Sequence, residues 1–145
     1  MFKKFKIFFL LIILLSSFNQ VIASDSYFEE AKKKFYEKKI EDSKFLFQRN
    51  IVFNPKDAKS YLYLAKIYKS EENQGEELKN LNTTLLLEPD NEEAMQMLIE
   101  VELKKSNYSK VKELIKNFMV ICNKLCEKSK IFEEKLKNIE PKNES

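Results

Sequence analysis

Hydrophobic residues recur three and four positions apart through most of the chain beyond residue 24. That spacing gathers them on one face of an α-helix and leaves polar residues on the opposite face. Proline occurs only at positions 55, 89 and 141, between the candidate helices, where a residue that interrupts a helix is expected. The pattern therefore predicts an all-α fold made of helices joined by short turns.

The hydrophobic pattern also repeats after 34 residues. Pro55 and Pro89 are separated by that distance, and the same offset superposes four sets of apolar residues. These sets are Tyr27, Tyr61 and Met95; Ala31, Ala65 and Ile99; Phe47, Leu81 and Ile115; and Phe53, Leu87 and Ile121. One offset that aligns so many sites favours an internal repeat. The alternative is an ordinary helical bundle with coincidental spacing.

A 34-residue unit of two helices and a turn resembles the tetratricopeptide repeat (TPR) family. The middle unit carries the family's aromatic, leucine, small and tyrosine sites, its large apolar sites and its helix-ending proline. These are Tyr61, Leu64, Ala65, Tyr68, Leu81, Leu87 and Pro89. The first unit matches at Ile40, Ser43, Phe47, Phe53 and Pro55, and the third at Leu98, Asn107, Tyr108, Val111 and Ile115. The resemblance implies a short α-solenoid of three stacked units, at residues 24–57, 58–91 and 92–123.

Three features depart from the family's pattern. Glu77 stands at the usual alanine of the middle unit, so we expect looser packing or a local slip of that helix pair. The family's turn glycine is absent, and Lys38, Glu72 and Ser106 take its place. The third unit ends in Asn123 where the other two have proline. We interpret these departures as degenerate repeats within the same fold.

A last amphipathic segment follows the third unit, at residues 124–140. Its apolar positions are spaced as one helical stripe, and charged residues occupy the other faces. The stripe consists of Leu125, Ile131, Phe132, Leu136 and Ile139. A stack of two-helix units exposes its last apolar face unless something covers it, so we predict a capping helix here. Residues 141–145 are expected to form a flexible tail.

The first 23 residues have the pattern of a signal peptide. Three lysines, at positions 3, 4 and 6, precede an unbroken apolar run over residues 7–15, and Ala23 is a small residue at the expected cleavage point. The run is shorter than the roughly 20 apolar residues that a membrane-spanning helix needs. We therefore predict an exported protein, periplasmic in a bacterial host. The alternative is an uncleaved segment that anchors the protein in the inner membrane.

Composition excludes several kinds of chemistry. The chain has no His, so it contains no His-dependent catalytic triad and no His-ligated metal. A single glycine, Gly75, does not build a glycine-rich phosphate-binding loop. Adjacent carboxylates such as Glu76 and Glu77 diverge by about 100° on a helix and do not converge as an acid–base pair. We therefore predict no enzymatic activity, no cofactor and no metal.

The positive charge of the chain belongs to its N-terminus. The sequence has 26 basic and 23 acidic residues, and removing the three lysines of residues 1–23 leaves 23 of each. A neutral remainder gives no reason to expect nucleic acid or anionic lipid as a partner. No stable membrane insertion is expected after cleavage.

Cys122 and Cys126 are the two cysteines of the chain. An even number of cysteines in an exported protein favours a disulfide, and this one would join the last repeat helix to the capping helix. Two buried free thiols, or a redox or metal role, are the alternatives. A structural zinc site is excluded because two thiols supply too few ligands.

The resemblance also implies a binding groove, because the first helices of stacked TPR units line a concave surface. In the middle unit Lys59, Leu62, Lys66 and Lys69 are spaced three and four apart and share one face. The full set of predicted groove residues is Phe28, Lys32, Phe35, Lys59, Leu62, Lys66, Lys69, Gln96 and Glu100. The alternative for any single lysine is a solvated surface residue.

A groove that is aromatic and basic at one end and acidic at the other suits an extended peptide or a partner helix. The sequence therefore predicts a protein–protein interaction module, acting as a scaffold, adaptor or assembly factor. A structural subunit of an envelope complex is the alternative. The sequence identifies neither the partner nor the oligomeric state, because one fold serves many functions.

Overall fold

The structure is a computed structural model that describes residues 27–139. This part of the chain consists of helices and short turns and contains no β-strand, so the all-α prediction is confirmed. The helices are α1 over residues 27–36, α2 (Ile40–Phe53), α3 (Ala58–Ser70), α4 (Gln74–Leu87), α5 (Glu92–Lys104), α6 (Tyr108–Ile121) and α7 (Glu127–Ile139). The predicted signal peptide (1–23) and tail (141–145) lie outside the described residues.

The same turn follows α1, α3 and α5. Lys38, Glu72 and Ser106 have positive φ angles of 63°, 57° and 56°. In each turn this residue donates its N–H to the carbonyl three residues earlier, and the next residue donates to the carbonyl five residues earlier. That pair of bonds is the Schellman motif, which normally places glycine at the left-handed position. Because these residues are 34 positions apart, the backbone shows the repeat that the sequence predicts.

The second helix of each pair also ends in the same way. The N–H groups of Asn54, Glu88 and Cys122 each donate to the carbonyl four residues earlier, at 2.8 Å. The first two loops then continue through proline, whereas the third continues through Asn123. The three second helices therefore share this terminal hydrogen bond. The backbone of the third departs at Cys122 itself, where φ is −63° against −132° at Asn54 and Glu88, before α7 begins at Glu127.

The described residues fall into two compact units that divide within α3, after Tyr63. In the N-terminal unit, Ala31 of α1 and Phe47 of α2 are fully buried. Ser43 is also fully buried, and its hydroxyl donates to the Ala31 carbonyl at 2.9 Å. The small side chains at these two positions allow α1 and α2 to approach closely.

A polar network holds the loop between α2 and α3. The Asn50 amide donates to Asp57 at 2.7 Å and to the Ser60 hydroxyl at 2.8 Å, and Ser60 donates to Asp57 at 2.6 Å. Asn50 and Ser60 are almost completely buried, so these bonds satisfy groups that would otherwise be costly to bury.

In the C-terminal unit, α5 contacts both α4 and α6. Seven of its residues are buried, which is why its sequence is apolar on most faces: Ala94, Met95, Met97, Leu98, Ile99, Val101 and Glu102. The flanking helices contribute Leu81 and Val111, both with no exposed surface. The core of this unit is therefore built around α5.

Helix α7 covers the apolar face of α6. The rings of Phe118 and Phe132 meet edge to face with their centroids 6.0 Å apart, and Leu136 is buried one turn further on. The predicted stripe also contained Ile131 and Ile139, and that part of the prediction is wrong, since they are 42% and 45% exposed. Ile131 precedes Phe132 by one residue and so lies about 100° away around the helix.

Two further links fix the loop between α6 and α7. A disulfide joins Cys122 and Cys126, whose Cα atoms are 5.1 Å apart. The Glu92 carboxylate, at the start of α5, accepts the N–H groups of Leu125 at 2.8 Å and Lys124 at 3.0 Å. These hydrogen bonds, the one from Leu125 above all, hold the pKa of Glu92 below its usual value. The disulfide thus closes the loop, and the hydrogen bonds to Glu92 attach it to the start of α5.

Glu77 is buried in the C-terminal unit, with 4% of its surface exposed. Its Oε1 atom accepts no hydrogen bond from any described residue. Burial raises the pKa of this carboxyl, although the charges of Lys69 and Lys104 oppose the effect. Helix α4 runs unbroken from Gln74 to Leu87 through this position.

Candidate functional site

The predicted groove residues divide between the two units. Those in the N-terminal unit are Phe28, Lys32, Phe35, Lys59 and Leu62, and those in the C-terminal unit are Lys66, Lys69, Gln96 and Glu100. We call the first set, with Tyr63, the aromatic surface, and the second set, with Glu93, the charged surface. All of these residues lie on α1, α3 or α5, the first helices of the three pairs.

Tyr63 is the centre of the aromatic surface. Its ring lies 5.2 Å from that of Phe35 and 5.9 Å from that of Phe28, both edge to face, and it stacks on Phe47 at 5.0 Å. Its hydroxyl also lies 3.1 Å from that of Tyr36, which is 65% exposed. Such ring pairs contribute about 0.5–1.5 kcal/mol beyond the burial of their area. Phe28 and Phe35 are half-buried, so they stabilise the unit and still present part of each ring to solvent.

Tyr63 was not among the predicted groove residues, whereas the adjacent Leu62 was. Leu62 is only 7% exposed, so it belongs to the core and offers little surface to a partner. The available signal was the abundance of aromatic residues in α1, which need an aromatic or apolar neighbour on α3. The rotation of α3 about its axis, which decides between adjacent residues, is not encoded in the spacing alone.

The two lysines of the aromatic surface remain accessible. Lys59 is exposed, and Lys32 has 39% of its side chain exposed and lies 3.8 Å from Glu29. An ion pair this long between exposed groups contributes little to stability. Both lysines are therefore available to a ligand.

On the charged surface, lysines of α3 pair with carboxylates of α5. Lys66 Nζ lies 2.9 Å from Glu93, and Lys69 Nζ lies 2.6 Å from Glu100. The Gln96 amide donates to Glu100 at 3.1 Å. Burial raises the pKa of Glu100, but the bonds from Lys69 and Gln96 outweigh it and leave that pKa below its usual value. The lysines and acids are thus neutralised in pairs.

Glu93 was not among the predicted residues, although the sequence held a signal for it. It lies 34 residues after Lys59, so the repeat places both at the same position of a first helix. Its pairing with Lys66 depends on the stagger between α3 and α5, which the sequence does not show.

Residues 27–139 contain no group of three or more Cys, Asp or Glu residues placed to hold a metal ion. Within the same residues, no helix has the length and apolar character required to cross a membrane.

Comparison with solved structures shows the class of fold. The chain is similar to the TPR2B domain of yeast Sti1 in a complex with pHsp70, at 13% identity and a TM-score of 0.71 over 79% of this chain and 96% of that one. It is similar to the Arabidopsis OM64 TPR domain, at 16% identity and a TM-score of 0.71 over 82% and 98% of the two chains.

A bacterial structure gives the same result. The type III secretion chaperone SycD of Yersinia enterocolitica, in complex with a peptide of the translocator YopD, aligns with a TM-score of 0.68 at 16% identity, over 79% of this chain and 90% of that one. This chain therefore has the TPR fold. No family model and no curated protein matches the sequence, so the likeness lies in the fold.

Proposed function

We propose that this chain is an exported protein-interaction module that binds a peptide or a partner helix through its first helices. The observation that carries the proposal is the TPR fold, shared with the Sti1 domain in its pHsp70 complex and with SycD in its complex with a YopD peptide. The aromatic surface and the charged surface both lie on first helices, the helices that line the groove in the family that the sequence resembles.

The two surfaces would recognise a ligand in different ways. Half-exposed Phe28 and Phe35 offer apolar ring edges that are already held in place, so binding loses little side-chain entropy there. On the charged surface, an acidic ligand must displace Glu93 or Glu100 from a lysine before it gains an ion pair. Apolar contact therefore supplies most of the affinity, and the charges select among ligands. The role is stoichiometric binding without bond chemistry.

Export is part of the proposal and rests on residues 1–23. Their lysines, apolar run and small residue have the signal-peptide pattern. Purification from the host followed by N-terminal sequencing tests it. A chain that begins at Ser24 supports a cleaved, periplasmic protein, whereas a chain that keeps its first 23 residues supports the membrane-anchored alternative.

Charge reversal on matched lysines tests the binding role. Tagged protein is isolated from its host after cross-linking, and the bound proteins are quantified by mass spectrometry. We expect Lys59→Glu, on the first helix α3, to reduce recovery of the main partner at least tenfold. Lys79→Glu, an equal charge change at an exposed site on the second helix α4, should leave recovery unchanged. Equal recovery with both variants would contradict the proposal.

A further inference from the structure

An open cavity of about 480 Å³ lies between α6 and α7 in the C-terminal unit. Its apolar residues are Ile115 and Met119 of α6 and Leu136 of α7. The remaining lining residues are charged: Lys112, Lys116, Glu133 and Lys137. The cavity is therefore an apolar floor surrounded by three basic residues and one acidic residue. None of its lining residues belongs to the aromatic surface or the charged surface.

The equivalent positions on α4 and α5 show how the preceding repeat unit differs from this cavity. Subtracting 34 from the cavity positions on α6 and α7 gives the corresponding positions on α4 and α5. At those positions Ile99 has no exposed surface, whereas its counterpart Glu133 is exposed. Leu85 is half-buried, whereas its counterpart Met119 is 48% exposed. In the preceding unit α6 packs on α5, and among the described residues no helix packs on α7 in the corresponding way.

The helix that would correspond to α6 in a fourth unit is not among the described helices. Residues 140–145 are Glu, Pro, Lys, Asn, Glu and Ser, which include no large apolar side chain to fill the floor. A helix that docks here must present an apolar stripe at three- and four-residue spacing, as α6 does toward α5.

We propose that this cavity docks an amphipathic helix of another protein, with acidic residues on both sides of its apolar stripe. The three lysines against one glutamate give the surroundings a positive balance, which acidic flanks complement. A second copy of this chain is a poorer occupant, because pairing the same face with itself brings like charges together. The occupant completes the stack as the second helix of a fourth unit.

A designed helix tests the proposal without knowledge of the natural partner. The probe is a fluorescent stapled peptide with the α6 sequence, in which Lys110, Lys112 and Lys116 are replaced by Glu. Its parent peptide keeps the lysines. Anisotropy titrations use the protein purified from its host. We expect the acidic probe to bind at least tenfold more tightly than the parent, with an advantage that shrinks as salt rises.

Two adjacent residues of α6 supply the matched variants. Met119 lines the cavity and is 48% exposed, whereas Val120 does not line it and is 84% exposed. Met119→Asp should weaken the acidic probe at least tenfold, and Val120→Asp should change its affinity less than twofold. Circular dichroism of both variants shows whether the fold is intact.

Other outcomes overturn the inference. Equal affinity for the acidic and the parent peptide would contradict recognition of acidic flanks. Equal effects of Met119→Asp and Val120→Asp would contradict binding in the cavity. Sedimentation of the protein alone adds a third arm, because a dimer that Met119→Asp dissociates would assign the cavity to a second copy. Since no first-helix residue is changed, failure here leaves the proposed function standing.

Discussion

The aromatic surface and the charged surface both lie on first helices of the repeat units, but different forces hold their side chains in place. The rings of Phe28, Phe35 and Phe47, from α1 and α2, lie 5.0–5.9 Å from the ring of Tyr63 on α3. On the charged surface, Lys66 and Lys69 reach across to acids of α5 through partly exposed ion pairs. The same backbone arrangement therefore accommodates both ring packing and ion pairing, because its turns and helix ends are set by hydrogen bonds that do not involve these side chains.

The difference also separates stability from recognition. Buried aromatic groups contribute several kcal/mol each, whereas exposed ion pairs contribute less than about 1 kcal/mol. Changes to the packed rings of the aromatic surface should therefore unfold the N-terminal unit before they reveal anything about binding. Changes to the charged surface should alter recognition with little loss of stability.

The largest expected effect is on the aromatic side of the comparison. Phe47 has no exposed surface and contacts both Phe28 and Tyr63, so Phe47→Ala should lower the free energy of unfolding by about 3–5 kcal/mol. Phe45, on the same helix, is 59% exposed, and Phe45→Ala should change the free energy of unfolding by less than about 0.5 kcal/mol. Urea denaturation followed by circular dichroism measures both. Similar losses in the two variants would refute the packing described for this unit.

The next effect concerns the buried acid beside the charged surface. Replacing Glu77 by Ala removes a buried carboxylate with an unbonded oxygen, so we expect the free energy of unfolding at neutral pH to rise by about 1–2 kcal/mol. Glu76→Ala is the matched control, since Glu76 precedes Glu77 in the first turn of α4, is partly exposed and pairs with Lys79. That variant should be neutral or slightly less stable. A loss of stability in Glu77→Ala would show that the carboxylate has a stabilising role.

The pH dependence of the same variant has a definite sign. Burial raises the pKa of Glu77, so the folded protein holds this proton at a pH where the unfolded chain has released it. The stability of the wild type relative to Glu77→Ala is therefore highest below the unfolded pKa and falls as pH rises through the folded pKa. Denaturation at several pH values checks this, and a difference that is constant with pH would show that the carboxyl pKa is not raised.

A smaller gain is expected at the three turns, one of which lies in the N-terminal unit and two in the C-terminal unit. Lys38, Glu72 and Ser106 adopt a left-handed conformation that costs a side-chain-bearing residue about 1–2 kcal/mol. Glycine removes this cost but gains entropy in the unfolded chain, so each substitution by glycine should stabilise the protein by about 0.5–1 kcal/mol. The same change at Asn117, an exposed site within α6, should destabilise it by about 0.5–1 kcal/mol. Thermal melts distinguish the two directions, and lower melting temperatures for all four variants would contradict the turn assignment.

The smallest effect is expected from the ion pairs. A double-mutant cycle of Lys69→Met and Glu100→Gln should give a coupling energy of about 0.2–1 kcal/mol that decreases with added salt. The corresponding cycle of Lys110→Met and Glu113→Gln, an exposed pair within α6, serves as the reference. A coupling above about 2 kcal/mol for Lys69 and Glu100 would mean that the charged surface is held as firmly as the aromatic one.

The repeat itself was predictable because it depends on local and recurring signals. Apolar spacing gave the helices, and the 34-residue offset gave the positions of Lys38, Glu72 and Ser106, which the structure shows in identical turns. The fold prediction did not need those positions to be glycine, because the hydrogen bonds of the turn tolerate a strained residue.

Surface assignments were less predictable because they depend on how far each helix is rotated. Leu62 is buried while the adjacent Tyr63 anchors the aromatic surface, and Ile131 is exposed while the adjacent Phe132 is buried. Neighbouring residues differ by about 100° on a helix, so a small rotation exchanges their roles. The pairing of Lys66 with Glu93 likewise depends on the stagger between helices.

Site-specific photo-cross-linking in the native host tests the central claim, that the first helices contact a partner. A photoreactive amino acid replaces Lys59 or Lys69 on α3, and, as controls, Lys79 on α4 or Asn117 on α6, all four being exposed. We expect a discrete cross-linked product of one mass from Lys59 and Lys69, and none of that mass from the two controls. The absence of any product at Lys59 and Lys69, or the same product from all four positions, would contradict it.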